Sequence, residues 1–270
     1  MARSAHFVSV DELVRLLDGD RPPVVLDVRN ANGRDDGRDE YAAGHIPGAV
    51  YVDLPTQLQG RPSGLSGKRP LPDIAQLEAD ARSWGINTGD AVVVYDNVAG
   101  TKAGRAYWVL RWAGLTDVRL LDGGYAAWVA VGAPVSVEIP RPTPGNVTLS
   151  PGHLPVLDAD GAAEYAAAGR LFDARGAAQY AAGHVPGAVS APTRDNLDES
   201  GLLLAEEVLR KRFADLGIDG SQPVGLYCGG GVAAAHQVAV LHTLGIEAAL
   251  FVGSFSAWSA DPARPIARGQ

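Results

Sequence analysis

Two tandem α/β domains, each a mostly parallel sheet flanked by helices, are predicted by three features of this 270-residue chain. It is an internal duplication, each copy alternates strand-like and helix-like apolar patterns, and a proline-rich segment separates the copies. The duplication is direct. YAAGHIPGAV at 41–50 returns as YAAGHVPGAV at 180–189, with nine of ten positions identical. LDVR (26–29) pairs with FDAR (172–175), VVVYD (92–96) with VGLYC (224–228), and DGGYAAW (122–128) with VGSFSAW (252–258). The offset falls from 146 (Asp27 to Asp173) through 139 (Tyr41 to Tyr180) and 132 (Tyr95 to Tyr227) to 130 (Trp128 to Trp258). The first copy therefore carries seven extra residues between Arg29 and Tyr41, seven within 55–72 and two after Tyr95. All three places have loop-like composition, where insertions are tolerated.

The elements follow in order. Ser9 to Glu12 form a capping-box pattern before the apolar periodicity of Leu13, Leu16 and Leu17, which predicts a short helix. VVLDV (24–28) is a buried-strand pattern. Asp73 starts an amphipathic helix that runs through Trp84 and stops at Gly85. AVVVY (91–95) is a strand, 103–113 a helix stopped at Gly114, and VRLL (118–121) a strand. The second copy repeats the order: helix near 158–168, strand 170–173, helix 205–216, strand 223–227, helix 232–244, strand 248–251. Between the copies, residues 134–152 hold five prolines and two glycines, which bars a long helix. The expected layout is a first domain at 1–137, a linker at 138–152 and a second domain at 153–270, each near the usual domain size.

Composition narrows the function. Charged residues make up 20% and the net charge is −8, with no Lys/Arg cluster, so no nucleic-acid or anionic-membrane surface is expected. No apolar run is long enough to span a bilayer. The N-terminal residues lack the apolar core of a secretory signal, and a reducing, cytoplasmic setting is the default expectation. The single cysteine, Cys228, excludes an internal disulfide, a CxxC redox pair and a cysteine-rich metal site. No metal or cofactor is expected, and two packed copies suffice as a monomer.

The chemistry concentrates at that cysteine. Cys228 ends the strand VGLY and opens Cys-Gly-Gly-Gly-Val-Ala-Ala, which leads into a helix. Ligands of open α/β sheets sit at the carboxyl ends of strands. Gly229, Gly230 and Gly231 lift the steric bar on positive φ, so their N–H groups can turn inward, and Gly230 is expected to use that freedom. The following helix, with Val232 and Ala233 at its start, adds unsatisfied N–H groups and a positive dipole end. Such a cradle favours a thiolate. A buried structural cysteine is the plain alternative, but it has no need of three adjacent glycines. In the first copy Asp96 stands at the same position, without a glycine triplet, and is expected to repel an anion. A Cys-x5-Arg phosphatase loop would need arginine at Ala234. His45 and His184 recur in both copies, one of which lacks the thiol, so they are read as structural. His236 lies two helical turns beyond Cys228, too far for a general base.

With YAAGHIPGAV, YAAGHVPGAV, LDGGYAAW, YCGGGVAAAH and GSFSAWSADPARPIARG on the page, the chain resembles the tandem-domain rhodanese-type sulfurtransferases, the thiosulfate and 3-mercaptopyruvate sulfurtransferase family, over nearly its whole length. The resemblance implies an inactive first domain and a second domain whose Cys228 thiolate takes sulfur from a small donor, holds it as a persulfide and passes it to an external thiol or cyanide. It also implies that Arg175 holds the donor's anionic group. Several residues depart from the family pattern. Mercaptopyruvate-type members carry hydroxyl residues where Gly230 and Ala233 stand, and a second arginine soon after the first. They carry a histidine where Arg69 stands in KRPLP (68–72). Thiosulfate-type members place basic residues beside the cysteine, and 229–234 holds none. The loop thus reads as a stripped version of either type, with thiosulfate favoured as donor and Arg69 expected to be a solvated loop residue. A low-turnover sulfur carrier or sensor that binds a partner protein is the alternative function.

Overall fold

The computed structural model describes residues 3–30 and 37–269. The first domain runs β1 (Phe7–Val8), α1 (Val10–Leu17), β2 (Val24–Asp27), α2 (Arg38–Ala43), β3 (Val50–Tyr51), α3 (Leu54–Gln57), α4 (Ile74–Ser83), β4 (Val92–Tyr95), α5 (Thr101–Trp112), β5 (Val118–Leu121) and α6 (Gly124–Ala130). The second runs β6 (Val156–Leu157), α7 (Ala159–Ala167), β7 (Leu171–Asp173), α8 (Ala177–Ala182), β8 (Val189–Ser190), α9 (Glu206–Asp215), β9 (Val224–Tyr227), α10 (Ala233–Thr243), β10 (Ala248–Phe251) and α11 (Ser254–Trp258). The sheets have matching orders, β1-β5-β4-β2-β3 and β6-β10-β9-β7-β8. Every pairing between these strands is parallel. β4 and β9 are buried at all four positions, which is why they read as unbroken apolar runs.

Local chemistry sets the boundaries. The Ser9 and Asp73 side chains accept the N–H of Glu12 and Gln76 and start α1 and α4. Helix α5 begins at Thr101, two residues before its sequence-predicted start, because the Asp96 carboxylate accepts the N–H groups of Lys102 and Ala103. The two-residue strands β1, β3, β6 and β8 are too short to show a period and escape a sequence reading. Part of the first insertion, residues 31–36, lies outside the described residues.

The two domains share one core. Helix α5 packs along α10, and buried residues of both sheets and both helices form a continuous apolar cluster that includes Cys228. Gly104 marks the closest approach: a Cβ there would lie 2.6 Å from the His236 Cα. The proline-rich connection does not hang free. Gly145 and Val147 donate to the carbonyls of Arg82 and Ile86 (2.8 and 3.2 Å), Ser150 donates to that of Ala113 (3.0 Å), and Val147 and Leu149 are buried. The second insertion, within 55–72, crosses to the other domain. There Lys68 N–H donates to Ser256 Oγ at 2.9 Å, and Gly67 lies so close to Gly253 that a Cβ would sit 2.4 Å from its carbonyl oxygen.

Candidate active site around Cys228

Cys228 follows β9 at the carboxyl end of the sheet. Its Sγ accepts the N–H of Gly231 at 3.1 Å and of Val232 at 3.3 Å. The backbone of the loop is fixed from α11: Phe255 N–H donates to the Cys228 carbonyl at 2.9 Å and Ser256 N–H to that of Gly229 at 3.2 Å. Ser254 receives the Cys228 N–H at 3.2 Å on its Oγ, which itself donates to the Phe251 carbonyl at 2.9 Å. This serine sits at φ 52°, a left-handed conformation that costs a non-glycine residue about 1–2 kcal/mol. In the first domain the same place is Gly124 at φ 60°. The second copy accepts strain there and gains a hydroxyl under the thiol, and the GGY/GSF difference between the copies is the sequence signal for it.

The positive φ expected of Gly230 belongs instead to Gly231, at 74°. A Cβ on Gly231 would meet the Val252 carbonyl at 2.8 Å, whereas on Gly230 it would make ordinary contact with Lys68 and Arg69, and on Gly229 it would meet nothing. The turn needs only one residue in the left-handed region, and the residue whose N–H reaches the sulfur takes it.

Cys228 is 2% exposed and forms part of the wall of a cavity of ≈ 350 Å³. Gly229, Gly230, Val232 and Ala233 line it as well, and so do Arg69, Lys102, Arg175 and Arg194. Among the described residues no carboxylate lines it. The loop that read as stripped of basic residues thus receives them from elsewhere: Arg69 and Lys102 from the first domain, Arg194 from the turn after β8. Arg69 is not a solvated loop residue. It is half-buried, with Nη1 3.5 Å from where a Gly230 Cβ would be, because the insertion carries it across the domain boundary. None of this was visible within either copy alone, since the contributing residues meet only once the domains pack.

Arg175 reaches the cavity wall, but its Nε and Nη2 already donate to the Asp173 carboxylate (2.5–3.0 Å) and Nη2 also to the Gly183 carbonyl (2.7 Å). Its guanidinium lies 4.2 Å from the Phe255 ring centroid. Arg29 makes the same bonds to Asp27 and Gly44 in the domain without a thiol. The ion pair is therefore part of the shared architecture, and Nη1 is the nitrogen without a bond to this framework.

Asp96 resolves the comparison of the copies. It does not face the cleft as a repelling charge. Its carboxylate turns inward and accepts the N–H groups of Val98, Gly100, Lys102 and Ala103 (2.6–2.9 Å). Burial pushes its carboxyl above the ordinary value, and these four donors pull it back toward the charged form. The first domain thus keeps the anion cradle and fills it with its own side chain. His45 and His184 are structural in both copies. Each ring bonds the carbonyl four residues earlier (2.8 and 3.0 Å) and stacks on Tyr41 or Tyr180. His236 bonds Thr193 Oγ1 at 2.9 Å and is buried between the domains; burial lowers it to about 4.

A single thiol held by backbone N–H groups at the end of a parallel strand, in one of two duplicated domains, defines a class of thiol-dependent group-transfer proteins. The Rhodanese-like domain model matches residues 9–131 and 156–261. Two full-length relatives are provisionally named: a thiosulfate sulfurtransferase, SseB, of Mycobacterium tuberculosis (39% identical, 99% of both chains) and a 3-mercaptopyruvate sulfurtransferase of Pseudomonas aeruginosa (37% identical, 98% of this chain and 99% of that one). The crystal structure of SseA from Escherichia coli, a 3-mercaptopyruvate sulfotransferase with the rhodanese fold, superposes with a TM-score of 0.81 at 27% identity, over 93% of this chain and 98% of that one. The chain belongs to the rhodanese family, in its tandem-domain sulfurtransferase branch.

Proposed function

We propose that the protein transfers sulfane sulfur from thiosulfate to an external thiol or cyanide through a persulfide on Cys228. The observation that carries this reading is a thiol bonded by two N–H groups in the wall of a cavity lined, among the described residues, by four basic side chains and no carboxylate. The thiolate attacks the outer sulfur of thiosulfate. A new S–S bond forms, the donor's S–S bond breaks, and sulfite leaves with the electron pair. Cys228 then carries an anionic persulfide, which the Gly231 and Val232 N–H groups stabilise without rearrangement. Attack by thiolate or cyanide on the outer sulfur returns the Cys228 thiolate.

Donor choice follows from charge and proton supply. Thiosulfate is a dianion whose leaving group needs no proton, and four cations suit it. Cleavage of 3-mercaptopyruvate leaves an enolate that must be protonated. For that proton the lining offers the Thr101 and Thr193 hydroxyls and the Lys102 ammonium, whereas the imidazole behind Thr193, lowered to about 4, is a neutral and weak proton donor. The carrier alternative drew its support from a loop without polar groups, and the cationic lining removes that support. No helix among the described residues is long and apolar enough to cross a membrane.

Incubation with thiosulfate is expected to add one sulfur mass to the intact wild-type chain and none to Cys228→Ser. An adduct that survives in the variant refutes the persulfide. In steady state, kcat/KM for thiosulfate is expected to exceed that for 3-mercaptopyruvate; the reverse order overturns the donor assignment and leaves the thiol chemistry standing.

A further inference from the structure

We propose that Arg105, on α5 of the first domain, is a positioning residue for Cys228: it holds the peptide between Gly231 and Val232 turned so that the Val232 N–H faces the sulfur. The proposal rests on the reading of Cys228 as the reacting thiol.

Arg105 is fully buried. Its Nε donates to the Leu58 carbonyl at 3.2 Å, Nη2 to those of Arg69 and Pro70 at 3.2 and 3.1 Å, and Nη1 to that of Gly231 at 3.4 Å. All four acceptors are neutral, and among the described residues no carboxylate forms an ion pair with it. A cation stripped of water without a counter-anion is expensive to keep. This one is kept against the loop that holds the thiol.

The geometry explains why. The C=O and N–H of a trans peptide point in opposite directions. Bonding the Gly231 carbonyl to Arg105 therefore commits the N–H of the same peptide, that of Val232, to the other side, where Sγ accepts it at 3.3 Å. Gly231, at φ 74°, has the freedom to let this peptide turn over, which would present an oxygen to the sulfur. Arg105 removes that option. Burial lowers its guanidinium to about 10, the facing Cys228 charge pulls upward and Arg69 downward, so it stays a cation at neutral pH. The fifth residue of α10, matching Arg105 in α5, is Gln237, a neutral side chain whose buried amide atoms have no hydrogen-bond partner. The cation stands only on the helix that faces the thiol loop.

Arg105→Gln and Arg105→Lys, made in the full chain, test this. Cys228 is the only cysteine, so alkylation by iodoacetamide reads its surroundings without any sulfur donor. Losing a cation and a fixed donor disfavours the thiolate. In Arg105→Gln the pH midpoint of alkylation is expected to move up by about one unit. Its kcat with thiosulfate is expected to fall roughly tenfold to a hundredfold, with KM changed less than about threefold. Arg105→Lys keeps the charge and is expected to recover most of the midpoint but only part of kcat. A role confined to packing would lower the melting temperature and leave the folded variant's midpoint and kcat at wild-type values, and that result overturns the proposal. Should Arg105→Gln fail to fold, Arg105→Lys decides: wild-type kcat overturns the proposal, and a loss of about threefold or more at unchanged KM supports it. A shifted midpoint in a protein whose wild type turns over no sulfur donor would keep the role of Arg105 and sink the sulfur-transfer reading instead.

Discussion

The three glycines after Cys228 look alike in the sequence and differ sharply in the structure. Only Gly231 holds a positive φ, and only there would a Cβ press on backbone, the Val252 carbonyl at 2.8 Å. Gly231→Ala is expected to destabilise the fold by about 1–2 kcal/mol and to displace the N–H bound to Sγ, with a large loss of kcat. Gly230→Ala meets ordinary contacts and is expected to stay within about 0.5 kcal/mol of wild type. Urea melts and kcat on both variants check the order, and equal stabilities would refute the assignment of strain to Gly231. The thiol and its loop were legible because cysteine and glycine mark special chemistry and special backbone. Which glycine bears the strain was not, since all three permit it. Arg105 was hidden for another reason: an arginine inside an apolar helix reads as part of the solvent face until a second domain covers it.

At the scale of elements, the central strands, α10 and the order of each copy were legible from apolar period and capping residues, while pairing between domains was not. Helix α5 and helix α10 meet at Gly104, where a Cβ would lie 2.6–2.8 Å from the backbone N and the Cα and Cβ of His236. Alanine normally gains about 1 kcal/mol over glycine within a helix. Here the added methyl must push the helices apart, and since α10 follows directly on the thiol loop the displacement reaches the site. Gly104→Ala is therefore expected to lose about 1–3 kcal/mol and to lower kcat, read by thermal melting and steady-state assay. A variant as stable as wild type would mean the helices can separate freely. The insertion at 55–72 teaches the same lesson: its composition reads as a tolerant surface loop, yet it is the segment that brings Arg69 and Lys68 over the second domain.

At the scale of the whole molecule, the first domain holds no cysteine and packs against the domain that does. It fills its own cradle with Asp96 and turns α5 toward the other copy. The boundary is lined with neutral histidines. His6 bonds Tyr107 Oη, which bonds His242, and His236 bonds Thr193. Burial lowers His6 to about 3, with Arg111 and His242 acting in the same direction, and lowers His242 and His236 to about 4, the former with help from Arg111. Each folded value lies below the unfolded one near 6.5, so the neutral form is what the fold requires. The stabilisation is complete above about pH 6.5 and is lost as pH falls toward the folded values. For His236, the most deeply buried, the loss between about pH 7 and about pH 5 is on the order of 2 kcal/mol. His236→Gln carries no titratable group and is expected to lose that much less than wild type over the same interval, whatever its stability at neutral pH. Urea melts of both proteins at the two pH values give the double difference. Equal losses would mean that the His236 imidazole gains a proton without opening the interface, and would remove His236 as a source of acid sensitivity.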